Sequence, residues 1–199
     1  MPKIYTNKNV LAIFSPNKDK HIHQFINDKH IKKVIILCNK EHIKRLSIEF
    51  VPTYICNINK LSNKLNKEYN EILNLLDKDT LLIVYNCELL YKYAKPVTRA
   101  LLYIFRKKSG YRIVCGNSLV MSEKYADIFS IYFFLNPKII SANHYWCFKA
   151  NHKEIDVFDK KTHRDMQDVE YLAKKIIPYT IFEYQPTNEL EEVIVKEEY

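Results

Sequence analysis

The chain has 199 residues, of which 47% are hydrophobic and 27% charged, and its formal net charge at pH 7 is +8. This composition excludes a disordered chain, and the length is sufficient for one domain with its own core. No apolar run approaches the roughly 20 residues of a membrane span, and the first ten residues lack the apolar stretch of a signal peptide. We therefore expect an intracellular, cytoplasmic protein.

In chain order, five apolar runs have the length and composition of buried strands. They are Val10–Phe14, Val34–Cys38, Tyr54–Ile58, Leu81–Tyr85 and Ile113–Cys115. Segments with helical spacing separate them, including one that starts at Pro96 and ends at Gly110 and one that starts at Ser122 and ends before Pro137. Strands that alternate with helices predict right-handed crossovers and a mainly parallel, three-layer α/β sheet.

After Pro137 the alternation weakens. Ser141–Arg164 is polar and rich in aromatic residues, which predicts an irregular insertion near residues 141–165. Val169–Ile177 has the spacing of a short helix, and Tyr179–Tyr184 is a strand-like run. We expect one lobe over residues 1–188 and an acidic, flexible tail over 189–199. Because the tail holds five glutamates and one lysine, residues 1–188 carry a formal net charge of +12, which favours a polyanionic partner.

Cysteine and histidine positions give no sign of a metal or nucleophile site. The five cysteines are widely spaced without a CxxC pair, so we expect reduced, buried thiols and no zinc. His21 and His23 would point to opposite sides of a strand, and no third ligand accompanies them. Cys147 lies near His144 and His152, but no carboxylate has the spacing needed to orient a dyad. We predict no catalytic residue, no metal and no cofactor.

Two later segments match a known motif pattern. YRIVCGNSLVMSEKYADIFSIYFFLNPKII resembles the third motif region of Snf2-type helicase ATPases, "R-I-ψ-L-[ST]-G-[ST]-P" followed by a helix ending in "F-L-x-P". The residues in register are Arg112, Ile113, Gly116, Phe129, Leu135 and Pro137. LAKKIIPY resembles a later segment of the same family, through Leu172, Ile176, Pro178 and Tyr179. The resemblance implies a degenerate first RecA-like lobe, with the fold of P-loop NTPases.

The departures from that family concern the residues of ATP hydrolysis. The family's phosphate loop, G-x-G-K-[ST], is replaced by SPNKDKHIH, in which Lys20 would take the lysine position and His21 the magnesium-binding hydroxyl position. Without glycine, successive N–H groups cannot wrap a phosphate. The family's Asp-Glu-x-His is replaced by Tyr85, Asn86, Cys87 and Glu88. The chain also stops after one lobe. We therefore expect a pseudo-helicase lobe that is not an enzyme.

A lobe without catalytic residues is expected to act by binding, and the first candidate partner is a protein. In size, charge and composition the chain resembles the small host-takeover proteins of phages of Gram-positive bacteria, among them a staphylococcal phage inhibitor that binds the primary sigma factor. The resemblance implies a viral protein that binds host RNA polymerase or sigma factor and alters transcription. Tyr145, Trp146 and Phe148 are candidate interface anchors, or else they pin the insertion to its own sheet.

The alternative function is sequence-tolerant binding of duplex DNA as an accessory protein. The family's first lobe grips DNA backbone phosphates with loops at the carboxyl ends of its strands. Six basic residues are candidate phosphate contacts: Lys40, Lys44, Arg45, Arg106, Lys107 and Lys108. The other interpretation of each cluster is a solvated helix face.

Overall fold

The computed structural model describes residues 8–44, 46, 51–91, 93–117, 125–151 and 171–183. The acidic tail over 189–199 and residues 152–165 of the predicted insertion lie outside this part of the chain, as does Arg45.

Six strands form one sheet in the described residues. They are β1 (Val10–Phe14), β2 (Lys33–Cys38), β3 (Thr53–Asn57), β4 (Thr80–Val84), β5 (Tyr111–Gly116) and β6 (Thr180–Phe182). Their order is β3-β2-β4-β5-β1-β6, and every neighbouring pair is parallel. The predicted α/β parallel sheet is confirmed. Phe14 pairs with Gly116 on one side and with Phe182 on the other, so β1, β5 and β6 end at the same edge.

Helical segments connect the strands. They are α1 (Lys18–Lys29), α2 (Lys67–Leu75), α3 (Pro96–Ala100), α4 (Arg106–Lys108), α5 (Tyr125–Leu135), α6 (Pro137–Ile140), α7 (Tyr145–Asn151) and α8 (171–176). A π-helical turn, Leu101–Phe105, joins α3 to α4, so the two form one continuous helix. Among the described helices, none is both long and apolar enough to cross a bilayer.

The core has one part on each face of the sheet. On one face, α1 packs Ile22, Phe25 and Ile26 against alternate residues of the strands. The other face carries a larger cluster, contributed by α2, the α3–α4 helix, α5, α6, α7 and α8. Alternate strand side chains point to opposite faces, and both faces are covered, which is why β1 and β4 are buried at all five positions.

The region after Pro137 differs from the prediction of an irregular insertion. Residues 145–151 form α7, whose Phe148 is 1% exposed within the larger core cluster. Tyr145 and Phe148 are three residues apart and therefore lie on one helix face, which packs against Phe129 of α5.

Gly110 occupies its position because another stretch of backbone lies against it. The predicted helix does end here, at Lys108, but the backbone of Gly110 is not left-handed. A Cβ at this position would lie 1.8 Å from the carbonyl oxygen of Lys78. The Gly110 N–H also donates to the carbonyl of Asp77, at 3.2 Å. The glycine therefore permits close contact between two chain segments rather than a helix-terminal turn.

Arg112, a residue of the motif that resembles Snf2 ATPases, has a structural role in this fold. Its guanidinium donates to the carbonyls of Leu135, Arg106 and Ser109, at 2.8, 2.9 and 2.6 Å. These carbonyls lie at the carboxyl ends of α5 and α4, where a positive charge is favourable. Burial, followed by the charge of Arg106, lowers the pKa of Arg112 to about 10. Arg112 thus ties two helix ends to β5.

The cysteines are free thiols, and four of the five are buried. Burial raises the pKa of Cys38, Cys56 and Cys87 to about 11 in each case, which makes these thiols poor nucleophiles. Cys147 differs from the expectation of buried thiols, because it is exposed on α7.

Candidate functional site

Ligands of parallel α/β proteins bind at the carboxyl ends of the strands, so this edge is the candidate site. The loop from β1 to α1 there consists of only three residues, Ser15, Pro16 and Asn17. It is held tightly: the Ser15 N–H donates to the carbonyl of Gly116 at 3.1 Å. The Asn17 N–H donates to the Ser15 hydroxyl at 2.9 Å. The N–H groups of Ser15 and Asn17 are therefore bonded to β5 and to the loop itself.

Lys18, in the first turn of α1, is a buried basic residue at this edge. Its side chain is buried, with 8% of the residue exposed. The ammonium donates to the side-chain carbonyl of Asn117, which follows β5. It also lies 4.7 Å from the ring centroid of Tyr85, which follows β4. The lysine therefore joins the ends of three strands by contacts within the protein.

Tyr85 completes this cluster. Its hydroxyl donates to Asp19 at 2.9 Å, and its ring lies 5.9 Å from that of His42. Burial, followed by the charge of Asp19, raises the pKa of the Tyr85 phenol. The side chain that takes the place of the family's metal-binding carboxylate is thus a neutral phenol packed beneath the lysine.

The expectation that Lys20 takes the lysine position is wrong in this fold. Because the β1–α1 loop has only three residues, α1 begins at Lys18, and that residue faces the strand ends. Lys20 is exposed two residues later, on another side of the helix.

A second cluster joins β6 to α1 at the same edge. Glu183 follows β6, and its carboxylate accepts from the buried Ser15 hydroxyl at 2.5 Å. Its other oxygen lies 2.8 Å from Nε2 of His21. The Glu183 N–H continues the sheet by donating to the carbonyl of Phe14 at 3.0 Å. Neither Ser15 nor Glu183 is singled out by a sequence motif; their positions directly after strands were the available signal.

The Glu183 cluster predicts an acid-dependent loss of stability. Hydrogen bonds from Ser15 and then His21 lower the pKa of Glu183. A depressed carboxyl pKa stabilises the fold above the unfolded-state value of about 4.3, and this stability is lost as the pH falls through the folded-state pKa. We expect Glu183→Gln to show a shallower fall in urea midpoint than the parent chain below about pH 5. Glu88→Gln, a change at an exposed glutamate of the same edge, is the control. Parallel curves for parent and Glu183→Gln would contradict the assignment.

The basic residues predicted to contact DNA are placed at opposite edges of the sheet. Lys40 and Lys44 follow β2 and are exposed at the carboxyl edge. Arg106, Lys107 and Lys108 form α4, the end of a helix that runs back to the amino edge before β5. The structure therefore does not bring the two groups together.

Arg106 differs further from its neighbours in α4. Its Nε donates to the carbonyl of Leu102 at 2.8 Å, and its guanidinium lies 5.1 Å from the centroid of the Phe133 ring. Burial lowers its pKa. Lys107 and Lys108 are the exposed members of this group, although the Lys108 ammonium donates to the carbonyl of Leu73 at 3.4 Å.

The three aromatic residues predicted to contact a partner also have different surroundings. Phe148 is in the core, which excludes it as a surface anchor. Tyr145 is half-buried, with its ring stacked on Tyr93 at 4.4 Å between centroids. Trp146 is 70% exposed. The alternative that these residues pin the segment to its own domain thus describes Tyr145 and Phe148, and Trp146 alone of the three is presented to solvent.

No family model matches the sequence, and no curated protein matches it. Among solved structures, the chain is similar to the Sulfolobus solfataricus SWI2/SNF2 ATPase core in complex with double-stranded DNA, with a TM-score of 0.65 over 90% of this chain. The fold is that of a RecA-like lobe. Sequence identity is 13%, and the match spans 41% of the length of the Sulfolobus chain. The similarity is one of fold, which agrees with the resemblance of the sequence motifs.

RecA-like ATPases bind a nucleotide with Mg²⁺ at this edge, and the residues present do not fit that group. A phosphate cradle needs successive free N–H groups in a glycine-containing loop. Here Pro16 has no N–H, and the N–H groups of Ser15 and Asn17 are already bonded within the protein. The Lys18 ammonium is held by Asn117, and Tyr85, directly after β4, presents a phenol bonded to Asp19 rather than a carboxylate.

Proposed function

We propose that this chain is a non-catalytic RecA-like lobe that acts by binding other macromolecules. The observation that carries the proposal is the contact of Lys18 with Asn117 and with the face of Tyr85. In a P-loop ATPase the corresponding lysine binds the β- and γ-phosphates, and a carboxylate holds the metal. In this lobe the lysine is buried, and its ammonium contacts groups of the protein at the ends of three strands.

The test is a measurement of phosphate release from Mg²⁺-ATP, with and without duplex DNA. We expect no turnover above that of buffer, and no change on replacing Lys18. Lys20→Ala is the matched control for Lys18→Ala, because it removes the same charge from an exposed site on the same helix. Mg²⁺-dependent turnover that Lys18→Ala abolishes and Lys20→Ala leaves intact would overturn the proposal.

For the partner, we propose a protein of the transcription machinery, RNA polymerase or its sigma factor, met in the host cytoplasm by a phage or viral protein. The support is the formal charge of +12 on residues 1–188 and the resemblance in size and composition to phage host-takeover proteins. Capture of purified Gram-positive RNA polymerase holoenzyme on the immobilised chain tests it, together with promoter run-off transcription. We expect retention of holoenzyme and a changed transcript yield. Flow-through of both core enzyme and sigma factor would reject this partner.

Duplex DNA is the second candidate partner, favoured by the exposed Lys40 and Lys44 at the carboxyl edge. The similar Sulfolobus structure is a complex with double-stranded DNA. We expect Lys40→Glu/Lys44→Glu to weaken binding in a gel shift by about tenfold or more at low salt, since each phosphate contact contributes to the salt-dependent affinity. Lys107→Glu/Lys108→Glu makes the same charge change at the amino edge. Equal losses in both pairs would indicate non-specific attraction rather than a binding edge.

A further inference from the structure

The helix that carries the exposed Trp146 is held by a set of aromatic contacts, which we call the aromatic support: Tyr93, Tyr103, Phe129 and Tyr145. Tyr145, the residue before Trp146, stacks on Tyr93 with ring centroids 4.4 Å apart and an angle of 10° between ring planes. Tyr145 also makes a T-shaped contact with Phe129, with ring centroids 5.5 Å apart and an angle of 72° between ring planes. The hydroxyl of Tyr93 lies 2.9 Å from that of Tyr103 in the π-helical turn. Helix α7 is therefore fixed to the α3–α4 helix and to α5, and the direction in which it presents Trp146 is fixed with it.

Two basic residues, Lys95 and Arg99, lie next to the aromatic support. Lys95 follows Tyr93 by two residues and is exposed, as is Arg99 one turn later. Arg99 is close enough to Tyr103 for its charge to oppose the rise in phenol pKa that burial and the Tyr93 hydrogen bond cause. The Arg99 N–H donates to the carbonyl of Lys95 at 3.0 Å, which places both residues on the first turn of one helix.

Negative charge is sparse in the same elements. The sequence has no Asp or Glu between Leu89 and Asn117, and none between Asn136 and Asn151. The acidic residue of α5 is Asp127, and Glu88 lies just ahead of the first of these two stretches. A ligand that covers Trp146 and reaches Lys95 and Arg99 therefore meets an aromatic face and positive charge, a combination that suits a polyanion.

The chemistry around Trp146 distinguishes a nucleic acid from a protein partner. Hot spots of protein interfaces lie within larger apolar patches from which water is excluded. The residues exposed just before and after Trp146 are Asn143, His144 and Cys147, of which two are polar. An exposed indole on a fixed helix, with basic side chains next to the aromatic residues that hold the helix, matches single-strand binding sites, where bases stack on aromatic rings and cations follow the phosphates.

We propose that Trp146, with Lys95 and Arg99, forms a binding site for single-stranded nucleic acid. One base stacks on the exposed indole, and the two basic side chains contact the phosphates that flank it. This inference goes beyond the proposed function and does not depend on it, because the site is separate from the Lys18 cluster. It also differs from the duplex-binding edge at Lys40 and Lys44, which would contact backbone phosphates alone.

The single tryptophan of the chain makes a direct test possible. The probe is oligo(dT) about 12 nucleotides long, within the ~4–16 nucleotides typical of single-strand sites. Titration of the full chain at low salt is expected to quench the Trp146 emission in a saturable way, because a stacked base quenches indole fluorescence. Anisotropy of the same oligonucleotide carrying fluorescein gives the affinity independently of the tryptophan. We expect Trp146→Ala to weaken the affinity for oligo(dT) roughly 5- to 100-fold, and Trp146→Phe to retain most of that affinity.

Salt dependence tests the two cations. For a single strand, each phosphate contact contributes about 0.7 to the magnitude of the slope of log K against log salt concentration. Because Lys95→Ala/Arg99→Ala removes two such contacts, we expect the magnitude of the slope to fall by about 1.4. Lys107→Ala/Lys108→Ala removes equal charge from the other end of the same helix and should leave both slope and quenching unchanged.

Four outcomes would overturn the site. The first is absence of quenching by oligo(dT) at low salt, and the second is binding that Trp146→Ala leaves unchanged. The third is equal quenching by heparin, which has charge but no bases. The fourth is capture of RNA polymerase that Trp146→Ala abolishes, which would make this surface a protein interface and leave the proposed protein partner standing. None of these outcomes depends on ATP turnover, so failure here and failure of the non-catalytic assignment are distinguishable.

Discussion

Gly110→Ala is expected to destabilise the fold by about 3 kcal/mol or more, an effect large for a single methyl group. The added Cβ would lie 1.8 Å from the carbonyl oxygen and 2.7 Å from the carbonyl carbon of Lys78. Both atoms belong to the backbone, so no side-chain rotation relieves the overlap. The turn before β4 and the start of β5 must move apart, which breaks the hydrogen bond from the Gly110 N–H to Asp77.

Ser109→Ala is the matched control, one residue away in the chain. The Ser109 hydroxyl is buried and has no hydrogen-bond partner within the described part of the chain. Removing a buried hydroxyl that lacks a partner is close to neutral or slightly stabilising. In thermal unfolding we expect Gly110→Ala to lower the midpoint by about 6–12 °C and Ser109→Ala to change it little. Similar midpoints for the two variants would show that the contact with Lys78 relaxes freely.

The second large effect is expected within α7. Phe148→Ala should cost about 3–5 kcal/mol, because the ring is buried against Phe129 and its removal leaves a cavity in the larger core cluster. Trp146→Ala, two residues earlier on the same helix, should change the unfolding free energy by no more than about 0.5 kcal/mol, since the indole is largely exposed. Urea unfolding of both variants measures the difference.

The comparison of Phe148→Ala with Trp146→Ala distinguishes a core residue from a surface residue, although the sequence pattern groups both as candidate interface anchors. If both substitutions destabilise equally, the exposed position of Trp146 is wrong, and the stacking site built on it fails as well. If neither does, α7 does not belong to the cooperative core. A stable Trp146→Ala protein is also the material that the oligonucleotide titration requires.

The sheet was predictable from the sequence because its strands are buried on both faces. Val10–Phe14 was predicted with the bounds that the structure has, and β4 was predicted within one residue at each end. The order of the strands was not predictable in this way, since it depends on packing between segments far apart in the chain. Strand β3 was the weakest signal, because it lies at an edge and only Cys56 on it is fully buried.

The site was less predictable than the fold. A loop of normal length assigns the lysine position to Lys20, and only the early start of α1 at Lys18 shows which residue reaches the strand ends. The contact between Gly110 and Lys78 joins residues 32 positions apart and leaves no local pattern. In α7 the spacing of Tyr145 and Phe148 did carry a helical signal, but the surrounding polar residues obscured it.

The three-residue loop after β1 also bears on how this lobe could change in evolution. The full phosphate loop is G-x-x-x-x-G-K-[ST], and the G-x-G-K-[ST] given above is its last part. The full loop has six residues ahead of its lysine, twice the three between Phe14 and Lys18. Point mutations can exchange Tyr85 for a carboxylate, but they cannot lengthen the chain. A phosphate loop of that length could therefore arise at this edge only through an insertion combined with several substitutions. The number of residues in the loop, more than the identity of any one of them, limits what substitution alone can build here.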